Sequence, residues 1–276
     1  MTDPTLFKSG VTYTPAEQLI INYVIENPQE FLLQSIQEVA RVLEVSDATV
    51  SRFARHAGFA DFKALKAAVA SSTLGPADKM LASIGEGSGD VAAFLRQQRD
   101  NIDRTLEGLS TASFDRAAEA LAGATCVRIQ GKGAASCVAD LLAFRFKRYG
   151  IAVDVLASGG TELFEGLAHT RSTDVLVTFG FQRVPAEAQV VLEYGAQQGA
   201  TTVLFTDRMV RGSGSQADIE LYTYRGEPRA YHSMASAVAL VDALVVAVAA
   251  RLDSSALEEL ERIRELKRAY THLLPR

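Results

Sequence analysis

The sequence predicts a chain of two domains: an all-α helix-turn-helix domain, then an α/β domain on a doubly wound, five-stranded parallel sheet. Three observations carry this expectation. Residues 35–59 hold two short amphipathic helical patterns joined by a tight turn. From about residue 126 onward, short apolar runs alternate with helical patterns, as parallel sheets require. Between them, residues 72–90 form a break in composition marked by Gly75-Pro76 and by Gly85, Gly87 and Gly89, which reads as flexible connection. A chain of 276 residues that is 48% hydrophobic can bury two cores. The expected boundaries are 1–73 for the helical domain, 74–104 for a linker and connecting helix, 105–252 for the α/β domain and 253–276 for a C-terminal helix.

The first helix opens at Thr14-Pro15-Ala16-Glu17, which combines a cap, a proline at the first helical position and a capping-box acid. Leu19, Ile20, Tyr23 and Val24 supply its core face, and Asn27-Pro28 ends it. Ser35 with Glu38 forms a second capping box. Ile36, Val39, Ala40 and Leu43 then fall at i, i+3, i+4 and i+7 on one stripe. Ser46 caps the next helix, with Asp47 in its first turn to suit the dipole. Val50, Phe53, Ala54 and Ala57 repeat the stripe, and Gly58 stops it. A further helix starts near Asp61 and carries Lys63 and Lys66.

With the stripe of the capped helix buried, Thr49, Ser51, Arg52, Arg55 and His56 project outward. Arginine grips guanine edges or phosphates, and Ser and Thr suit phosphates and base edges. Residues 48–72 set four cations, Arg52, Arg55, Lys63 and Lys66, against one acid, Asp61. That is a local +3 in a chain of net charge −5. A basic face on an acidic protein is compatible with DNA binding. The expected DNA-facing residues are Ser46, Thr49, Ser51, Arg52, Arg55, His56 and Lys63. The competing reading is an ordinary helix pair with solvated arginines.

In the second half, strands are expected at 126–130, 152–156, 174–179, 201–206 and 219–222, with helices between. A helix at 91–109 precedes them, and two long helices close the chain. Ligands of such sheets bind at the carboxyl ends of the strands, which points to loops 131–136, 158–161, 178–184 and 207–214. Gly131-Lys132-Gly133 joins a strand to a helix N-terminus, where backbone amides and the helix dipole favour an anion. Ser158-Gly159-Gly160-Thr161 has the same character. Gln182 and Arg183 lie just past a strand end, where a guanidinium can pair with an anionic ligand. Tight-turn glycines and a surface arginine are the competing readings.

Other classes are disfavoured. The opening segment MTDPTLFKSG lacks the apolar core of a signal peptide, so a cytoplasmic location is expected. Residues 234–250 form a long apolar run, but Asp242 near its middle is costly in lipid. The run instead suits a helix buried in a core or a subunit interface. Cys126 and Cys137 read as reduced core residues, one in a strand and one in a helix. No His/Cys/Asp cluster has metal-ligand spacing, so no metal or cofactor is expected.

The N-terminal domain closely resembles the DNA-binding domain of RpiR-type bacterial transcriptional regulators, through YTPAEQLIINYVIENPQEF and SIQEVARVLEVSDATVSRFARHAGFADFKALK. The family usually has Gly where this chain has Glu44. If that residue is left-handed, Glu costs on the order of 1 kcal/mol more than Gly. Residues 105–252 resemble a SIS domain, a sugar-phosphate isomerase or binding module, whose fold is a five-stranded parallel sheet. The resemblance implies a phosphosugar-like effector. The phosphate motifs depart from the family pattern. G-x-G-x-S becomes Gly131-Lys132-Gly133-Ala134-Ala135, with Ser136 one place later. S-x-S-G-x-T becomes Thr178-Phe179-Gly180-Phe181-Gln182-Arg183. The expected effector-facing residues are Gly131, Lys132, Gly133, Ser136, Ser158, Thr178 and Arg183.

The resemblance implies a DNA-binding regulator with a palindromic operator, a small anionic effector and a homodimer or homotetramer. Two rivals stay open. One is a sugar-phosphate isomerase with an appended helical domain, for which Glu162, Glu165, His169 and His232 are the nearest acid–base candidates. The other is an assembly factor whose SIS-like domain only oligomerises, through residues 234–250 and 256–270.

Overall fold

The structure, a computed structural model, describes residues 6–7, 13–73, 76–87, 90–181, 184–207, 217–226, 231–252 and 254–273. The chain divides after Ala93 into two compact units, and Gly226–His232 goes with the first.

The first unit is helical: α1 (Pro15–Glu26), α2 (Pro28–Leu33), α3 (Ile36–Val42), α4 (Asp47–His56), α5 (Phe62–Thr73) and α6 (Pro76–Gly87). Both expected capping boxes are present, Thr14 with Glu17 and Ser35 with Glu38. Ser46 caps α4 by accepting from Thr49 N. Val39, Ala40, Val50, Phe53 and Ala54 meet in one core, which joins α3 to α4.

Several details differ from expectation. Leu19 is 52% exposed, while Ile21 is buried. The buried stripe of α1 runs through Glu17, Ile20, Ile21 and Val24, so it is an i, i+3, i+4, i+7 set with an acid in it. Pro28 does not simply end α1; it occupies the first position of α2, where its missing N–H has no helical partner to lose. The short α2 places Phe31 fully buried, edge-on to Phe62 at 5.5 Å. The stretch 72–90, expected as flexible connection, contains α6.

The two helices of the turn motif end in the same way. After α3, Val45 N donates to Ala40 O (2.9 Å) and Glu44 N to Arg41 O (3.3 Å). After α4, Phe59 N donates to Ala54 O (2.9 Å) and Gly58 N to Arg55 O (3.0 Å). Each is a Schellman closure, which needs a left-handed residue. Gly58 has φ 96°, and Glu44 has φ 54°. The strain expected at Glu44 is therefore present.

The second unit begins within α7 (Val91–Gly108), followed by α8 (Thr111–Ala122), which the sequence reading did not anticipate. Then come β1 (Val127–Ile129), α9 (Ala134–Lys147), β2 (Val153–Val155), α10 (Thr161–Leu167), β3 (Val175–Gly180), α11 (Ala186–Gln197), β4 (Thr201–Thr206) and β5 (Ile219–Tyr222). Two helices follow, α12 (Ala235–Arg251) and α13 (Ser254–Ala269). The five strands are parallel in the order β2-β1-β3-β4-β5, so the order reverses between β1 and β3. Gln98, Asn101 and Thr105 of α7 are buried, and Thr105 Oγ1 accepts from Tyr224 N (2.9 Å), which ties the helix expected as a connector to the end of β5.

One face of the sheet packs Val127, Ile129, Val177, Val203 and Leu221 against α8, α9 and α12. The other face packs Leu176 and Leu204 under α10 and α11. Gly195 lets α11 sit close: a Cβ there would lie 2.8 Å from Thr202 Cγ2. The apolar run at 234–250 is the core helix α12, with Leu240, Val241, Leu244 and Val248 buried. Among the described residues no single helix is long and apolar enough to cross a membrane. Cys126 is half-buried just before β1, and Cys137 is exposed on α9, so the expectation that both are core residues is corrected for Cys137. Val138 and Ala139 take the inward positions of that turn instead.

Replacing Glu44 with Gly relieves the left-handed strain and should raise the stability of the first unit by about 1 kcal/mol, whereas Gly58→Ala should lower it by a similar amount. Urea denaturation of both variants checks this; a Glu44→Gly variant less stable than the parent would exclude strain at the turn.

Candidate functional site

On the first unit, α4 buries Val50, Phe53 and Ala54 and turns Arg52 and Arg55 to solvent. Among the described residues neither arginine has an ion pair. Lys63 is exposed on α5. Ser46 and Thr49 are occupied locally: their hydroxyls lie 2.8 Å apart, and Ser46 Oγ accepts from Thr49 N at 3.1 Å. Ser51 is half-buried. Lys66 reaches back to donate to Gln34 O (2.8 Å), so it fastens α5 to the end of α2.

His56 is placed differently from a free outward side chain. Its Nδ1 donates to Glu17 Oε1 at 2.7 Å, and its ring lies 5.5 Å from that of Tyr13. Glu17 uses the other oxygen, Oε2, to accept from Thr14 N (2.9 Å) and Thr14 Oγ1 (3.0 Å). One carboxylate thus caps α1 and holds the last turn of α4. The sequence showed Glu17 as a capping acid; the long-range bond to His56 had no local signal. Burial opposes ionisation of Glu17, but the hydrogen bonds from Thr14 and His56 outweigh it and hold its pKa below the ordinary 4.5.

On the second unit, the carboxyl ends of the strands bring together several residues expected there. Gly131 lies against the start of α9, where a Cβ would be 2.8 Å from Ala135 O, and Gly133 is left-handed at φ 62°. Lys132 is exposed and ion-paired with Glu187 in the first turn of α11. Ser136 Oγ donates to Gly133 O (2.8 Å). Thr178 is wholly buried, and its hydroxyl donates to Gln130 Oε1 (2.7 Å). Gln130 Nε2 donates in turn to the backbone oxygen of Ser158 (3.3 Å), while Ser158 itself is exposed. A ligand-facing Thr178 is therefore corrected to a support: it fixes Gln130, which fixes the Ser158 loop. Arg183 and Gln182 lie outside the described residues, as do 208–214 of the last expected loop.

The sequence reading missed Arg225, three residues past β5. Its guanidinium lies over the Phe181 ring, 4.0 Å from the centroid, and its Nη2 donates to Asp207 Oδ2 at 3.2 Å. Burial lowers its pKa, and the Asp207 charge opposes that shift. Applying the strand-end rule to the fifth strand as well as to the first four would have found it.

Of the acid–base candidates, Glu162 and Glu165 are exposed on α10, His169 is exposed beyond its C-terminus, and His232 is half-buried. Among the described residues no cluster of His, Cys, Asp and Glu is arranged to hold a metal ion.

Residues 6–74 match the family model described as a helix-turn-helix domain of the rpiR family. Over 264 residues the chain is 27% identical to an uncharacterized HTH-type transcriptional regulator of Caldanaerobacter subterraneus subsp. tengcongensis, covering 92% of this chain and 93% of that protein. Among solved structures, the sugar isomerase domain of an RpiR transcription factor from Sphaerobacter thermophilus is 26% identical with a TM-score of 0.58, covering 62% of this chain and 96% of that one. The Vibrio vulnificus NanR protein complexed with ManNAc-6P shares the fold, with a TM-score of 0.61 at 19% identity over 96% of each chain.

The Glu17 carboxylate sets an acid limit on the first unit. Its folded pKa is depressed, so its contribution is fully present above the unfolded value and is lost as pH falls through the folded one. Stability of the first unit should decline as pH drops below 4.5, and Glu17→Gln should remove this part of the decline. Thermal melts of both proteins across that range check it; an identical pH slope in the variant would clear Glu17 of the effect.

Proposed function

We propose that the chain, whose residues 6–74 match the rpiR-family helix-turn-helix model, is a transcriptional regulator that reads operator DNA through α4 and senses a small anionic metabolite at the carboxyl edge of its sheet. The observation that carries the DNA half is the outer face of α4. Its inner face is locked by a buried core and both its ends are capped, so Arg52 and Arg55 stand exposed on a rigid support. Rigid placement is what a bidentate contact to a base edge needs. Lys63, exposed on the next helix, adds positive charge for the phosphates.

The effector half rests on the fold and on the chemistry of the edge. Strand order reverses between β1 and β3, and ligands of open α/β sheets bind at that point. The Gly131–Gly133 turn opens α9 there, and the amides at a helix N-terminus favour an anion. A sugar-phosphate-like effector fits this setting, and the NanR neighbour is one whose complex holds ManNAc-6P. The second domain would also pair two copies, so that the operator is palindromic with half-sites one helical turn apart or a multiple of it. Control of DNA binding then requires the effector to bind the two states with different affinity.

Arg52→Ala and Arg55→Ala should each weaken binding to an operator selected from random-sequence DNA by ~1–3 kcal/mol where the residue grips a base edge. Fluorescence anisotropy titration reads this directly. Parental affinity in both variants would remove α4 as the reading helix.

A further inference from the structure

At the carboxyl edge of the second domain the cations are held in different ways. Lys132 is exposed and closed off by Glu187. Arg225 is the reverse: its side chain is only 8% exposed, and Phe181 covers one face of the guanidinium. Three successive strand ends converge on it. Phe181 follows β3, Asp207 follows β4 and Arg225 follows β5.

The pairing with Asp207 is incomplete. Nη2 donates to Asp207 Oδ2, while Nε is sealed from solvent and has no hydrogen-bond partner among the described residues. Nε and Nη2 together form the edge with which arginine grips a carboxylate or a phosphate through two parallel bonds. Asp207 takes one of the two. A buried N–H left without a partner is unfavourable, and native proteins keep such groups few. The guanidinium is planar by resonance, and the Phe181 ring beneath holds its orientation, so the edge is held ready.

We infer that Arg225 is the anchor for the oxyanion of the effector, and that Asp207 is an internal anion which holds the guanidinium until the ligand displaces it. This rests on the effector-sensing reading given above, and it names the residue and the ligand group that the reading leaves open. The ligand class is a small molecule with a phosphate ester or a carboxylate; an uncharged polyol lacks the group that the Nε–Nη2 edge takes. Phe181 is the positioning residue for the guanidinium.

The test uses the full chain, titrated with inorganic phosphate, glucose 6-phosphate, gluconate and glucose, with binding read by calorimetry and by thermal shift. Asp207→Asn removes the internal competitor and should bind at least one anionic probe more tightly than the parent, by about threefold or more. Arg225→Lys keeps a charge but loses the two-pronged edge, and with Arg225→Gln it should lose affinity by about tenfold or more. Glucose should bind none of them. Preference for glucose 6-phosphate or for gluconate separates a phosphate from a carboxylate ligand. If the parent binds an anionic probe and folded Arg225→Lys binds it equally well, this inference fails while effector sensing stands. If Asp207→Asn is merely less stable, with parental affinity, the pair is structural and the inference fails again. If no anionic probe binds the parent or Asp207→Asn, both the inference and the anionic-effector reading fall.

Discussion

Arg128 is the constraint around which the second domain is organised. It sits in the middle of β1 with its side chain 9% exposed, a full charge inside a largely apolar sheet. Such a charge is tolerable only when it is paired and its donors are satisfied. Both conditions are met by residues distant in sequence. Nη1 donates to Asp154 of β2 and to the Gly166 carbonyl, Nη2 donates to the His169 carbonyl (2.9 Å), and Nε donates to Asp174 at the start of β3 (3.2 Å). One guanidinium therefore ties the central strand to both neighbours and to the C-terminus of α10. Asp174 adds a further bond, accepting from Arg171 N (3.0 Å), which shapes the entry to β3. Losing either carboxylate leaves a buried charge undercompensated, so the cluster acts as a unit.

The consequence for function lies two residues further along the same strand. Gln130 projects to the same side as Arg128, and its amide links Thr178 of β3 to the Ser158 loop. Because β1 is paired in register with β2 and β3, the ends of those three strands reach the carboxyl edge at fixed relative positions. The opposite face of the sheet has no such device: its apolar side chains pack against α8, α9 and α12. The sheet thus separates its tasks. One side supplies hydrophobic stability at roughly 25 cal/mol per Å² of apolar surface. The other adds to its own apolar packing under α10 and α11 the directional polar contacts that fix where the strand ends go.

This division explains what could be read from the sequence. Elements whose signal is local were legible: the capping boxes at Thr14 and Ser35, the cap at Ser46, and β4 and β5 to the residue; the left-handed turn at Glu44 came only from the family resemblance, which has Gly there. The same holds for the parallel alternation and for α12 as a core helix. What escaped depends on partners far along the chain. Leu19 looked like core because it is apolar, yet the fold chose the stripe through Glu17 and Ile21. Thr178 looked like a ligand contact because it stands where a phosphate motif would be, yet its hydroxyl is committed to Gln130. Arg225 carried no motif, and the sequence marked it only by its place past the end of β5; its partners Phe181 and Asp207 come from two other strand ends. The α6 helix was passed over because Gly75, Gly85, Gly87 and Gly89 lie in or beside it, whereas α8, capped by Ser110 and rich in Ala, carried a local helix signal that was overlooked.

The ion pairs at the carboxyl edge bear on how regulation by a ligand is to be understood. Lys132 with Glu187 and Arg225 with Asp207 are already neutral pairs in the free protein. A ligand oxyanion arriving there exchanges one anion for another, and the gain is the difference between the two pairings, not the full strength of a guanidinium–phosphate contact. Exchange lowers affinity, and it also makes the released carboxylate a second consequence of binding. A freed Asp207 at the end of β4 changes the local charge by a full unit at a place where three strands meet. An energetic difference between liganded and free states is what any population shift requires, since a ligand that binds both states equally moves nothing. A pre-paired site therefore suits a sensor better than a scavenger: it trades tightness for a larger change in its own electrostatics.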